Sequence, residues 1–349
     1  MSAASGKILL KLEGGFWLTR PQSLFGKFPL TWAGWLVGLG AAAVNIKDVA
    51  LLALFVAVYQ ALLMVLNDWI DAEKDRRSAP YLPIPSGVVR RSSALLEGLG
   101  FGIAFLTLLW VLGSDFRAVA ITLATIPPAL ATIKIYGRTK SAWYSPVLAS
   151  TAAASGPLWG WLLAGHRNPA LFGQVFAIAM IHGLHTNLRA QLRDIEGDPK
   201  AGNVTVAVRL GAKKTFWLTI ALRAVELGGI GMLCLSSGKT GAWFWLVAAF
   251  LVFAGNLTRA KEYERSRSRL EQTKVLTVWI YASLLAEIAV LGVFQPLAAG
   301  ATLVFMFVWY NAVRSGYRIR IEQGGLASDW RRLDSGFAEP AAAQAVASE

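Results

Sequence analysis

The chain has 349 residues, of which 55% are hydrophobic, and a formal net charge of +13; soluble domains are typically about 45–50% apolar. Apolar runs of about 18–22 residues recur along nearly the whole length, each enough to cross a bilayer as a helix, which excludes an array of soluble domains. The basic residues lie in short loops between these runs rather than in a continuous basic domain, which argues against nucleic acid as a partner, and a single cysteine, Cys234, excludes an intrachain disulfide.

Residues 1–19 lack the uninterrupted apolar core and small-residue cleavage site of a signal peptide and read as a cytoplasmic segment. Spans are expected at roughly 28–46, 48–69, 92–113, 117–136, 144–164, 170–190, 214–235, 240–259, 273–294 and 297–313. Residues 20–313 then form one transmembrane domain, an all-α polytopic bundle of nine to ten helices, and 314–349 a partly disordered tail. The connections alternate in charge. "DAEKDRRSAPYLPIPSGVVRR", "YGRTKSAW", "LRDIEGDPKAGNVTVAVRLGAKK", "TRAKEYERSRSRL" and "RSGYRIR" carry Lys and Arg, whereas "GSDFR", "GHRNP", "SSGKT" and "QPLAAG" are short and poorly charged. The positive-inside bias puts the first set, and both termini of an even-numbered bundle, on the cytoplasmic side.

Two of these loops, 70–91 and 191–213, are longer than a turn requires, and each holds an acidic cluster. In "NDWIDAEKD", Asn67, Asp71 and Asp75 recur every fourth residue, which on a helix is one face. In "NLRAQLRDIEGD", Asn187, Gln191, Asp194 and Asp198 follow i, i+4, i+7, i+11, and are expected to form a second stripe. Oxygen ligands with no accompanying cysteine or histidine suit Mg²⁺, which shares its shell with substrate phosphates. Arg76, Arg77, Lys140, Arg193 and Lys200 lie close by in sequence. Metal sites with basic rims, backed by an apolar bundle, fit a molecule with a diphosphate head and a hydrocarbon tail: an isoprenyl diphosphate.

These residues resemble a known family. "NDWIDAEKD" is similar to the NDxxDxxxD motif of the UbiA superfamily of intramembrane prenyltransferases, and "RDIEGD" to their second aspartate motif. "APYLPIPSG" and "DIEGDPKAGNVTVAVRLGAKKTFW" resemble segments of the homogentisate prenyltransferase group; "TRPQSLFG" resembles the start of the family's first helix. In the second motif Gln191 stands where the family usually has Asp, and a further apolar run follows the family's usual end.

The resemblance implies a helical ring around a central cavity and an enzyme that transfers a prenyl group from its diphosphate to an aromatic acceptor. Two Mg²⁺ bridged by the diphosphate are expected, held by Asn67, Asp71, Asp75, Asp194 and Asp198, with Asp71, Asp75, Asp194 and Asp198 as the catalytic carboxylates. Arg77, Lys140, Asn187, Gln191 and Arg193 are expected substrate contacts. Membrane lipids are the remaining partner. A terpene cyclase of the same superfamily and a non-enzymatic transporter are the competing readings. His182, His185, Glu226 and Glu287 fall within spans, where ionisable groups mark function or interhelical pairing. Trp69, Trp159 and Trp161 are candidates to line a cation's cavity with their rings.

Overall fold

The computed structural model describes residues 3–40, 44–113, 119–120, 123, 142–200, 202–239, 242–258, 262–263 and 269–334. All regular structure among them is helical, the secondary structure that satisfies its own backbone inside a bilayer. The main helices are α1 (Ala3–Leu18), α2 (Phe28–Leu39), α3 (Ile46–Ser78), α4 (Arg91–Leu112), α5 (Tyr144–Leu163), α6 (Pro169–Asp194), α7 (Ala212–Ser237), α8 (Ala242–Thr258), α9 (Arg269–Phe294), α10 (Pro296–Tyr317) and α11 (Gly325–Asp334). Stretches Ile46–Glu73, Arg91–Leu112, Ala212–Ser237 and Pro296–Glu322 are each long and apolar enough to cross a membrane. A helix coincides with each expected span except 117–136, most of which lies outside the described residues.

Residues cluster into two compact units. The first comprises Met1–Leu24, Ala57–Phe105 and Val308–Glu349, the second Phe25–Val56 and Leu106–Phe307. The first is built around Trp17, Leu18, Val65, Ala72, Val88, Val89, Tyr317, Ile321 and Leu326. Here α1 packs against the turn that follows the first acidic cluster: a Cβ on Gly14 would lie 2.7 Å from Val89 and 2.9 Å from Val88. Arg320 clasps Glu13 with two contacts, of 2.5 and 2.7 Å, and its hydrogen bonds hold the Glu13 carboxyl below the usual carboxylate range.

In the second unit, α2 and α5 meet backbone to backbone. Gly34 and Gly38 face Pro157 and Trp161 of α5, while Gly156 and Gly160 face Thr31 and Trp35 of α2. Small residues four apart on both helices let main chains approach where lipid offers no hydrophobic drive for association. A Cβ at Gly34 or Gly160 would overlap the facing backbone. Gly160→Ala is therefore expected to lower stability by about 1–3 kcal/mol, read as a lower thermal midpoint in detergent. Gly160→Leu is expected to prevent folding, read as loss of the monodisperse peak.

Both acidic clusters are placed by the ends of long helices. The 33 residues of α3 extend about 50 Å, beyond the roughly 30 Å of a hydrocarbon core, so the helix carries its acidic end past the apolar zone. The expected loop 70–91 thus begins as helix and becomes irregular only at Ala79. In 191–213, α6 runs on to Asp194, and two short helices, Gly197–Lys200 and Val206–Leu210, follow.

Candidate functional site

In the first unit, continuous α3 puts Asn67, Asp71 and Asp75 on one face, as their spacing predicts; all three are half-buried. Asp68, on another face, is buried, and its Oδ1 accepts from Arg20 at 2.7 Å and from Asn67 Nδ2 at 3.3 Å. Arg20 adopts φ 48°, ψ 62°, a left-handed conformation uncommon for a side-chain-bearing residue, and the residue after it is Pro21. Asp68 holds Arg20 more firmly protonated than usual, with Asp75 adding a smaller contribution. At the rim Arg76 and Arg91 lie 3.2 and 3.9 Å from Glu73. Trp69 carries the Arg91 guanidinium over its ring at 5.0 Å, so that face is already occupied by a side-chain cation. Arg77 lies in α3, but its side chain, like Lys140, is outside the described residues.

In the second unit the expected four-residue stripe is corrected. α6 stops at Asp194, and Asp198 sits beyond the break in the short helix Gly197–Lys200, so it does not continue the helical face. Asp198 is buried, with Oδ1 accepting from Asn203 Nδ2 at 3.0 Å and its carbonyl accepting from the Asn203 amide at 2.8 Å. Asp194 is half-buried and pairs with its neighbour Arg193 through two 3.1 Å contacts.

Gln191 departs further from expectation. It is fully buried, and its Oε1 accepts from the amides of Val206 and Ala207 at 2.9 and 3.3 Å. Those amides open a short helix and lack intrahelical partners. The Gln191 Nε2 donates to Asn187 Oδ1 at 2.8 Å. This amide braces the following segment and ties down Asn187, a task for which a neutral side chain suits better than a carboxylate.

The opposite side of α6 holds a second polar network. His182 and Gln191, like His185 and Asp194, are nine residues apart, or two and a half turns, and so project in opposite directions. Glu226 of α7 accepts from His182 Nδ1 at 2.9 Å, from His185 Nε2 at 2.7 Å and from Arg223 at 2.5 Å. His182 Nε2 contacts Glu287 of α9 at 2.7 Å. Arg223 also reaches the Ala282 carbonyl, and Arg189 donates to Ser283 at 2.9 Å. His182, His185, Arg223, Glu226 and Glu287 are buried, and Arg189 is half-buried. The ligand atoms of His182, His185 and Glu226 lie within 4.8 Å of one another, a geometry a metal ion could use. Yet His182 has a carboxylate against each ring nitrogen, the arrangement of an imidazolium. Both of its nitrogens are thus engaged, and a metal ion at His182 would have to displace a carboxylate from the ring. Both histidines and both glutamates stand out in the sequence as ionisable groups in apolar runs; Arg223 does not, and its three-residue spacing to Glu226 inside such a run is its one signal.

Trp159 is buried edge-on to Phe55 at 5.9 Å, and Trp161 stacks on Phe172 at 4.3 Å; both rings have packing roles.

The model of the UbiA prenyltransferase family matches residues 28–280. The digeranylgeranylglyceryl phosphate synthase of Methanoregula boonei is 27% identical over 225 residues, 62% of this chain and 75% of that protein. The chloroplastic chlorophyll synthase of Oryza sativa is 28% identical over 66% of this chain and 65% of its own length. The glycinol 4-dimethylallyltransferase of Glycine max is 24% identical over 67% and 60%. Among solved structures, an apo UbiA homologue from Aeropyrum pernix covers 77% of this chain and 97% of its own with TM-score 0.63 at 14% identity. A UbiA homologue from Archaeoglobus fulgidus, bound to GPP and Mg²⁺, covers 81% and 99% with TM-score 0.53 at 18% identity.

Proposed function

The chain belongs to the UbiA prenyltransferase family and is an intramembrane prenyltransferase, and we propose that its donor is an isoprenyl diphosphate, bound with Mg²⁺ at the two aspartate clusters, and its acceptor an aromatic ring. One observation carries the reading of the clusters. Each long helix, α3 and α6, ends in carboxylates and amides aligned on one face, Asn67, Asp71 and Asp75 in one and Asn187 and Asp194 in the other. These hard oxygen donors, with no sulfur among them, fit Mg²⁺. The Archaeoglobus homologue bound to GPP and Mg²⁺ supports the same pairing of metal and donor.

Bound Mg²⁺ would neutralise charge growing on the departing diphosphate. Asn67, Asp71 and Asp75 of one cluster and Asp194 and Asp198 of the other would hold the ions, with Asp198 oriented through its Oδ1 by Asn203. Arg193 releases Asp194 and turns to a phosphate oxygen. Arg77 and Lys140 add positive charge. The cytoplasmic side is proposed for both clusters on the loop charges. Binding the tail among apolar helices brings its first carbon to the acceptor and keeps water out.

The aromatic acceptor rests on "PYLPIPSG" and "DIEGD", which resemble the homogentisate group, and on the glycinol-prenylating relative. The synthase from Methanoregula boonei favours a second reading, a glyceryl phosphate lipid as acceptor. Purified protein with Mg²⁺, tested with prenyl diphosphates of several lengths against homogentisate, hydroxybenzoate and a glyceryl phosphate lipid, decides between them. Prenylated phenol is expected. Product only with the lipid transfers the proposal to the second reading, and a cyclic hydrocarbon formed without acceptor sinks both.

A further inference from the structure

We propose that α1 is an interfacial helix that docks on an anionic lipid leaflet. Its 16 residues reach only about 24 Å, too short to cross a bilayer, and include Lys7, Lys11 and Glu13. The left-handed Arg20 and the turn at Pro21 break it from α2. One side is committed to the protein: Gly14 rests on Val88 and Val89, and Trp17 and Leu18 enter the first unit's core. The other side is apolar and uncovered. Ile8, Leu12 and Phe16, spaced four apart, are 59%, 67% and 47% exposed, and adjacent Leu9 is 52% exposed. A contiguous face of four large apolar side chains marks an interaction surface.

The charges beside that face identify what covers it. Lys7 and Lys11 lie at its edge, both with their ammonium groups over the ring of Trp330 in α11, at 5.8 and 5.7 Å. Arg331 and Arg332 follow Trp330 and are exposed. Glu13 and Asp329 share one cation, Arg320, at 2.5 and 2.6 Å. Glu97 of α4 lies half-buried beneath Gly15. Among the described side chains, Lys7, Lys11, Arg320, Arg331 and Arg332 outnumber Glu13, Glu97 and Asp329, so the rim is net basic. A second copy meeting the same face across a two-fold axis would set this basic rim against itself. A leaflet with anionic headgroups accepts both features, acyl chains against Ile8, Leu12 and Phe16 and phosphates against the lysines.

The test places one fluorophore at Leu12→Cys, in a Cys234→Ala background, in vesicles of phosphatidylcholine and phosphatidylglycerol. Quenching is measured with a nitroxide on the acyl chain of either lipid, and Glu196→Cys serves as the aqueous control. We expect strong lipid quenching at position 12, about twofold greater from phosphatidylglycerol than from phosphatidylcholine. That excess should vanish in Lys7→Glu/Lys11→Glu, or in Lys7→Gln/Lys11→Gln if the charge reversal does not yield a monodisperse protein. Equal quenching by the two lipids overturns the anionic preference. Quenching by aqueous iodide as efficient as at Glu196→Cys, or pyrene excimers between labelled copies, overturns the docking itself.

Discussion

Asp71→Asn and Asp194→Asn are each expected to lower prenyl transfer at least about a hundredfold, with the thermal midpoint in detergent unchanged. The substitution preserves shape and one oxygen and removes one negative charge from a half-buried helix face, so its effect should fall on metal and diphosphate rather than on folding. Titrating Mg²⁺ checks this: the remaining activity of each variant should need more Mg²⁺ to saturate. Gln191→Ala should behave in the opposite way. Its amide ties α6 to Val206 and Ala207, so the midpoint should fall while the Mg²⁺ requirement of the folded protein stays put. Full activity of Asp71→Asn at ordinary Mg²⁺ would remove α3 from the site.

The second large effect is on stability. Glu226→Gln leaves Arg223 and an imidazolium buried without their shared counter-charge, and breaking a buried ion network by removing one partner costs about 3–5 kcal/mol. Replacing His182, His185, Arg223, Glu226 and Glu287 together with Leu and Met should cost less than that single change, because it removes both carboxylates along with Arg223 and the imidazolium. Thermal midpoints of the two proteins settle the order. If the fivefold replacement is the less stable, the network contributes more than mutual neutralisation. Metal analysis of purified protein adds an independent check, with no stoichiometric transition metal expected in this cluster.

The spans were legible because a bilayer forces apolar runs of a fixed length, and the face shared by Asn67, Asp71 and Asp75 was legible because α3 continues unbroken through them. The second stripe failed one turn too far: Gly197 and Pro199 bracket Asp198, and both residue types punctuate helices. Gln191 carried its own hint, since a neutral side chain adds nothing to a cation's neutralisation and suits backbone amides. The Arg20–Asp68 bridge joins residues 48 positions apart, and no local pattern announces such a pairing. Two histidines and two glutamates stood out as ionisable groups in apolar runs, but that they share one network depends on how α6, α7 and α9 pack.

The glycine seam between α2 and α5 has a bearing on traffic. With Gly34 and Gly160 against the facing main chain, the two helices leave no side-chain-sized gap that could widen by a change of rotamer. A prenyl chain slipping between them would have to force two backbones apart along several turns. For a substrate that is itself a membrane lipid, this junction is a wall, and its doorway must open elsewhere, between helices whose contacts are made by side chains able to swing aside.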